Sequence, residues 1–196
     1  MTELPADNRR PIAARGLASM QRIAAALART GITPNAVSVA SIVFAAAGAA
    51  ALLYLPSPWG ALLCALGVQG RLLCNLFDGM IAIEGGKQSA VGALYNEVPD
   101  RIADSLLLLA LGIAAGEPWL GWLAALLAAL TAYIRTLGGA LGQAQDFRGP
   151  MAKQQRMALM TLACVLAPVE LWLWQSRWCL LGADHHARQA HERSGS

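Results

Sequence analysis

Residues 75–104 read NLFDGMIAIEGGKQSAVGALYNEVPDRIAD. The stretch carries Asn75, Asp78, Asn96, Asp100 and Asp104 at helical intervals, between flanks that are otherwise apolar. Asn75 and Asp78 are three residues apart, and Asn96, Asp100 and Asp104 follow at steps of four, so on helices each set lies along one face. Between them, Glu84-Gly85-Gly86-Lys87-Gln88-Ser89 is turn-rich and polar, which predicts a chain reversal. Two antiparallel helices joined there turn Asn75 and Asp78 toward Asn96 and Asp100. A cluster of oxygens with no Lys or Arg expected on the same faces suits a hard divalent cation. Ionisable groups at membrane depth are costly, which makes their convergence a functional-site hypothesis. Gly79 and Gly92 remove side chains where the two helices have to approach or admit a ligand.

Composition places this pair of helices in a membrane. The chain of 196 residues is 56% hydrophobic and only 14% charged, with a mean hydropathy of +0.46. That excludes a disordered chain and an ordinary soluble domain, and predicts one integral membrane domain of the all-α class. The formal charge of +3 is small, with most arginines near the N-terminus or in the tail, so anionic lipid headgroups are the expected neighbours and nucleic acid is not.

From 14 to 29 the pattern is amphipathic. Arg15, Arg22 and Arg29 recur every seven residues on one face, with Leu17, Met20, Ala24 and Leu27 on the other. A helix lying in the membrane interface accounts for this better than a signal peptide, whose apolar core has no place for Arg22 and Arg29. Thr33-Pro34-Asn35 then carries helix-start chemistry, with Thr33 as cap and Pro34 in the first turn. Apolar segments follow at 36–55, 59–83, 91–115, 118–141 and 151–168, each near the ~20 residues that span a bilayer. Residues 169–182 are short and hold Glu170 and Arg177, after which the chain is rich in Ala, His and Arg to Ser196. The expectation is a bundle of five to six transmembrane helices behind an interfacial helix: an N-terminal segment over 1–34, the bundle over 35–182 and a polar tail over 183–196. Arginines at the N-terminus place that end inside, and Arg188 and Arg193 in the tail favour six spans over five. The Glu84–Ser89 turn then faces the cytoplasm of a bacterial inner membrane.

The same residues resemble the signature of the CDP-alcohol phosphotransferases, D-x2-D-G-x2-A-R-x8-G-x3-D-x3-D. The match runs from Asn75 through Asp78-Gly79, Ala82, Ile83, Gly92 and Asn96 to Asp100, with every interval kept. Asn75 and Asn96 stand at the first and third aspartate positions, and Ile83 at the arginine. The resemblance implies six spanning helices, from which the C-terminus here departs. It implies a CDP-linked donor, CDP-diacylglycerol or another CDP-alcohol, whose β-phosphorus is attacked by an acceptor hydroxyl with release of CMP. It also implies Mg²⁺ or Mn²⁺, one or two ions, on the donor's diphosphate. By the same resemblance Asn75, Asp78 and Asn96 ligate metal, Asp100 ligates metal or acts as general base, and Gly79, Ala82 and Gly92 border the nucleotide. Arg135 and Lys153 correspond more loosely to cations used near phosphate. The two asparagines leave two formal negative charges where the signature has four, so weaker metal binding is expected, with Asp104 as a partial substitute.

Each residue has a plainer reading. Asn75 and Asn96 serve as interhelical hydrogen-bond partners, Asp104 is neutralised by Arg101 or Arg71, Glu97 is a surface charge, and Arg156 snorkels to the boundary. Gly112/Gly116 and Gly138/Gly142 are GxxxG pairs that permit close helix crossing or a homodimer. Cys64, Cys74, Cys164 and Cys179 lack metal-ligand spacing and read as small core residues. Two other functions stay open: an idle relative that binds nucleotide or lipid, and a UbiA-like prenyltransferase, whose NxxxDxxxD is matched by Asn96, Asp100 and Asp104. Against the second, such proteins have about nine spans and a second aspartate motif.

Overall fold

The computed structural model describes residues 17–86, 91–143, 153–170 and 172–173. Among these are six helices and no strand. They are α1 (Ala18–Arg29), α2 (Pro34–Tyr54), α3 (Trp59–Glu84), α4 (Gly92–Ala114) and α5 (Pro118–Ala140), followed by α6 over 153–170. The five apolar segments expected from the sequence coincide with α2 to α6 to within a few residues. The proposed sixth span over 169–182 lies largely outside the described residues, as do the tail, Cys179 and the Lys87–Ser89 part of the turn.

Local chemistry sets the boundaries. Thr33 caps α2, its hydroxyl accepting from the Ala36 N–H at 3.2 Å, with Pro34 at the first helical position. α3 ends at Gly85, and Gly86 turns the chain with φ of +58°, a conformation that favours glycine. α2, α3 and α5 are long and apolar enough to cross a membrane. α4 is of similar length, but it carries Glu97, Asp100, Arg101 and Asp104.

The core is made of small residues. Ala45 of α2, Ala61, Cys64, Ala65 and Val68 of α3, Ala103 and Leu107 of α4, and Met157, Met160 and Cys164 of α6 form one buried cluster. Lipid is as apolar as any side chain, so close backbone approach rather than hydrophobic burial holds such helices together. A Cβ on Gly67 would meet the Phe44 carbonyl oxygen at 2.7 Å and the Gly48 Cα at 2.8 Å, which fixes the α2–α3 crossing. At the α4–α5 crossing, a Cβ on Gly112 would meet the Gly121 Cα at 2.6 Å. Of the four GxxxG glycines, Gly112 makes a close helix crossing, against Gly121, while Gly116 and Gly142 occupy turns with φ of +78° and +79°. Large apolar side chains such as Val43, Leu66, Leu126 and Ile134 point outward, as a lipid-facing surface requires.

α1 docks by Ala24, with Met20 beside it, on Leu76, Phe77 and Met80 at the site end of α3. Two of the apolar residues expected on its buried face thus pack on the bundle, while Leu17 is exposed.

The bundle is polarised along its length. Exposed Tyr54, Trp59, Trp119, Trp122 and Trp172 sit at the end of α2, just past α6 and at the starts of α3 and α5, all at one end of the bundle. Trp and Tyr concentrate at membrane–water interfaces, so this end marks one boundary. From Trp59 to Asp78 along α3 is about 28 Å at 1.5 Å per residue, close to the hydrocarbon thickness. The Asp78 end therefore lies at the opposite boundary.

Candidate active site

Four helices bring polar groups to that opposite end, and three of them bring charges. α3 supplies Arg71, Asn75 and Asp78, three positions of one stripe at steps of four and three. α4 supplies Asp100 and Asp104, α2 supplies Ser38, and α6 supplies Lys153 and Arg156 at its first turn. Arg71, Asp78, Asp100, Asp104, Lys153 and Ser38 are all buried.

Asp100 is the most heavily engaged. Asn75 Nδ2 donates to its Oδ1 at 2.7 Å, and an Arg71 guanidinium N–H donates to the same oxygen at 3.4 Å. The Lys153 ammonium hydrogen-bonds Oδ2, and Arg101 approaches that oxygen at 3.8 Å. Asp104 is held by Arg71 at 2.6 Å and Arg156 at 3.3 Å. Arg71, completely buried, also donates to Met157 Sδ at 2.8 Å and to the Asp100 carbonyl at 3.4 Å. One guanidinium thus ties α3 to α4 and α6, in the planar forked geometry that lysine lacks.

Asp78 is held differently. Ser38 Oγ donates to its Oδ2 at 2.6 Å, and among the described residues no Lys or Arg forms an ion pair with it. It stands within electrostatic reach of Asp100 and Lys153. A carboxylate that is 5% exposed and has no ion-pair partner among the described residues is costly to bury in its charged form, and a cation bound directly to it lowers that cost.

The expected pairing of α3 and α4 is therefore present through Asn75 and Asp100, with Asp78 alongside. Asn96 is exposed, in the second turn of α4. The expectation that these faces carry no Lys or Arg is corrected: Arg71 lies one turn before Asn75 on the same stripe, and α6 delivers Lys153 and Arg156. Asp104 follows its plainer reading, neutralised by Arg71 and Arg156. Glu97 is not a free surface charge, because it bonds Arg135 of α5 and lies 3.5 Å from Arg101. Arg135 and Lys153 each meet a carboxylate. Ser38 is the residue that sequence reasoning missed. Pro99 lies inside α4 and, having no N–H, cannot donate to the Tyr95 carbonyl.

No cluster of three His, Cys, Asp or Glu side chains suited to a metal occurs among the described residues. The donor set that fits a hard cation is smaller: the Asp78 carboxylate, which has no ion-pair partner among the described residues, the Asn75 amide oxygen whose nitrogen faces Asp100, and Asp100 itself. All are oxygen ligands of the type Mg²⁺ and Mn²⁺ take. Cys64, Cys74 and Cys164 are free and buried, in keeping with a packing role.

Comparison with known proteins agrees with the geometry. A family model described as CDP-alcohol phosphatidyltransferase matches residues 31–186, which include α2 to α6. An archaetidylinositol phosphate synthase of Aeropyrum pernix is 33% identical over 146 residues, covering 73% of this chain and 72% of that protein.

Proposed function

Because the chain belongs to the CDP-alcohol phosphatidyltransferase family, a membrane-bound transferase of phospholipid biosynthesis using a CDP-alcohol donor and an alcohol acceptor, we propose that the α3–α4 centre is where that transfer takes place. The acceptor of this chain carries a phosphate of its own, on a polyol of the inositol phosphate class, and the site opens to the cytoplasm of a bacterial inner membrane. The relative's name supports the acceptor class. The cations Arg135, Lys153 and Arg156, gathered at the same end of the bundle as Asp78 and Asp100, support an anionic one. The prenyltransferase reading is set aside: the family match covers most of the chain, and Asp104 is taken up by Arg71 and Arg156.

The observation that carries this assignment is the buried Asp78, with no ion-pair partner among the described residues, beside an Asp100 clamped by Asn75 and Arg71. The family is generally dependent on divalent metal. In this chain Asp78, Asn75 and Asp100 would hold one Mg²⁺ or Mn²⁺, with Asn96 completing the set from α4. Bound there, the ion supplies charge neutralisation for the diphosphate and for the departing CMP oxygen. The protein does the rest by position. Ser38 orients Asp78. Asn75 and Arg71 fix Asp100, which either ligates the ion or takes the proton of the acceptor hydroxyl as the hydroxyl's own oxygen bonds to the β-phosphorus. The bond from β-phosphorus to the CMP oxygen breaks, and CMP leaves with the electron pair. Gly79, Ala82 and Gly92 border the nucleotide.

The test is CMP release by purified protein with Mg²⁺, CDP-diacylglycerol and, in turn, inositol phosphate, glycerol phosphate and serine. Transfer to a phosphorylated polyol that stops with EDTA and in both Asp78→Ala and Asp100→Ala is the expected result. Full activity in both variants rejects the assignment. Specific CDP binding without CMP release on any acceptor identifies instead an idle relative, the reading that the two asparagines leave open.

A further inference from the structure

Both oxygens of Asp100 are occupied by the protein. Oδ1 accepts from Asn75 at 2.7 Å and Arg71 at 3.4 Å, and Oδ2 accepts from Lys153. A cation that uses Asp100 as a ligand has to displace one of these groups. Arg71 cannot leave, since it is fully buried and tied to Asp104 and Met157. Asn75 belongs to the same donor set and turns on a short side chain. Lys153 is different: its ammonium sits on a flexible four-carbon stem in the first turn of α6, and the side chain is 10% exposed.

We propose that Lys153 is a built-in counter-cation that competes with the divalent ion for Asp100 Oδ2, so that ion entry is coupled to the arrival of an anion that receives the ammonium. This rests on the metal reading of the site given above. An ammonium taken from its buried carboxylate and left alone is costly. Asp104 and Glu97 cannot take it, because they are engaged by Arg71 and Arg156, and by Arg135 and Arg101, and Asp78 is spent as a ligand of the incoming ion. A diphosphate drawn in beside the divalent ion can. Metal and nucleotide therefore bind as a coupled pair, and Asp100 is held neutralised in the resting protein.

The coupling is measurable without turnover. Mn²⁺ binding to the detergent-solubilised full chain is followed by the paramagnetic resonance of free Mn²⁺, with and without CDP, in the wild type, Lys153→Met and Lys153→Gln. In the wild type, Mn²⁺ binds weakly alone and tightens by about tenfold or more with CDP, within the usual range for linked sites. Without CDP, both Lys153 variants bind Mn²⁺ tighter than the wild type by a comparable factor, and their gain from CDP shrinks. Circular dichroism confirms which variant is folded, and Arg71 and Arg101 remain to balance Asp100 in each. Mn²⁺ affinity no higher in the folded variants than in the wild type overturns the competition and leaves the metal reading standing. No Mn²⁺ bound by any form in the presence of CDP overturns the metal reading, and the competition with it.

Discussion

Arg71 and Asp104 meet at 2.6 Å in the interior of the bundle, with side chains 0% and 2% exposed, and join α3 to α4 one turn below the site. Breaking a buried pair costs about 3–5 kcal/mol where the remaining charge is left alone; here Arg156 at 3.3 Å and Arg101 at 3.9 Å still face Asp104, so the loss falls toward or below the lower end of that range. Arg71→Leu is therefore expected to lower the thermal unfolding temperature in detergent sharply. Arg71→Leu combined with Asp104→Leu removes both charges and is expected to recover part of the loss. A double variant no more stable than the single one shows that the pair is not the source of the stability.

Asp78 is expected to behave in the opposite sense. Its buried charge lacks an ion-pair partner among the described residues, and a neutral amide can still accept from Ser38. Asp78→Asn is predicted to leave the unfolding temperature unchanged or raise it, while CMP release falls by about a hundredfold or more, the scale of losing one preorganised electrostatic group. Thermal unfolding and a CMP assay on the same preparation decide it. A joint loss of stability and activity assigns Asp78 to the scaffold instead.

The crossing glycines give a packing test with its own control. Gly67→Ala places a methyl group 2.7 Å from the Phe44 carbonyl oxygen, and Gly112→Ala places one 2.6 Å from the Gly121 Cα. Both contacts are with backbone, so helices have to move apart, at a cost of about 1–3 kcal/mol. Gly138→Ala meets, among the described residues, only Gln143 Cβ at 4.0 Å, and is expected to leave stability unchanged within about 0.5 kcal/mol. Unfolding temperatures of the three variants, ranked in detergent, check the crossings directly.

What the chain discloses before folding follows from physical range. Helix limits are local, so Thr33, Pro34 and the apolar runs marked α2 to α6 closely. The Asn75–Asp100 juxtaposition was legible because two helices joined by a short polar turn can bring their stripes together in few ways. Ser38 was not, because it lies 40 residues from Asp78 and only the packing of α2 brings it there. Arg71 was readable in principle, one turn before Asn75 on the stripe that holds Asp78. Lys153 and Arg156 precede Met157, Met160 and Cys164, whose burial shows the inward face of α6, but their choice of Asp100 and Asp104 depends on how α6 sits against α4.

Asn75 supplies the last and most specific expectation. Its amide nitrogen lies 2.7 Å from Asp100 Oδ1, so Asn75→Asp sets a second carboxylate against the first. Without metal the two repel, and only Arg71, Lys153 and Arg101 offset them, so the variant is expected to unfold at a lower temperature than the wild type. With Mg²⁺ the same carboxylate becomes an additional charged ligand, and affinity rises with ligand charge. The prediction is a crossover: Asn75→Asp is less stable than the wild type in EDTA and gains more from added Mg²⁺, by about 1.4 kcal/mol for each tenfold gain in affinity once the site is saturated. Thermal unfolding across a Mg²⁺ titration reads both limbs. Parallel curves for the two proteins place the metal away from Asn75, because a ligand added to the coordination shell has to change the slope.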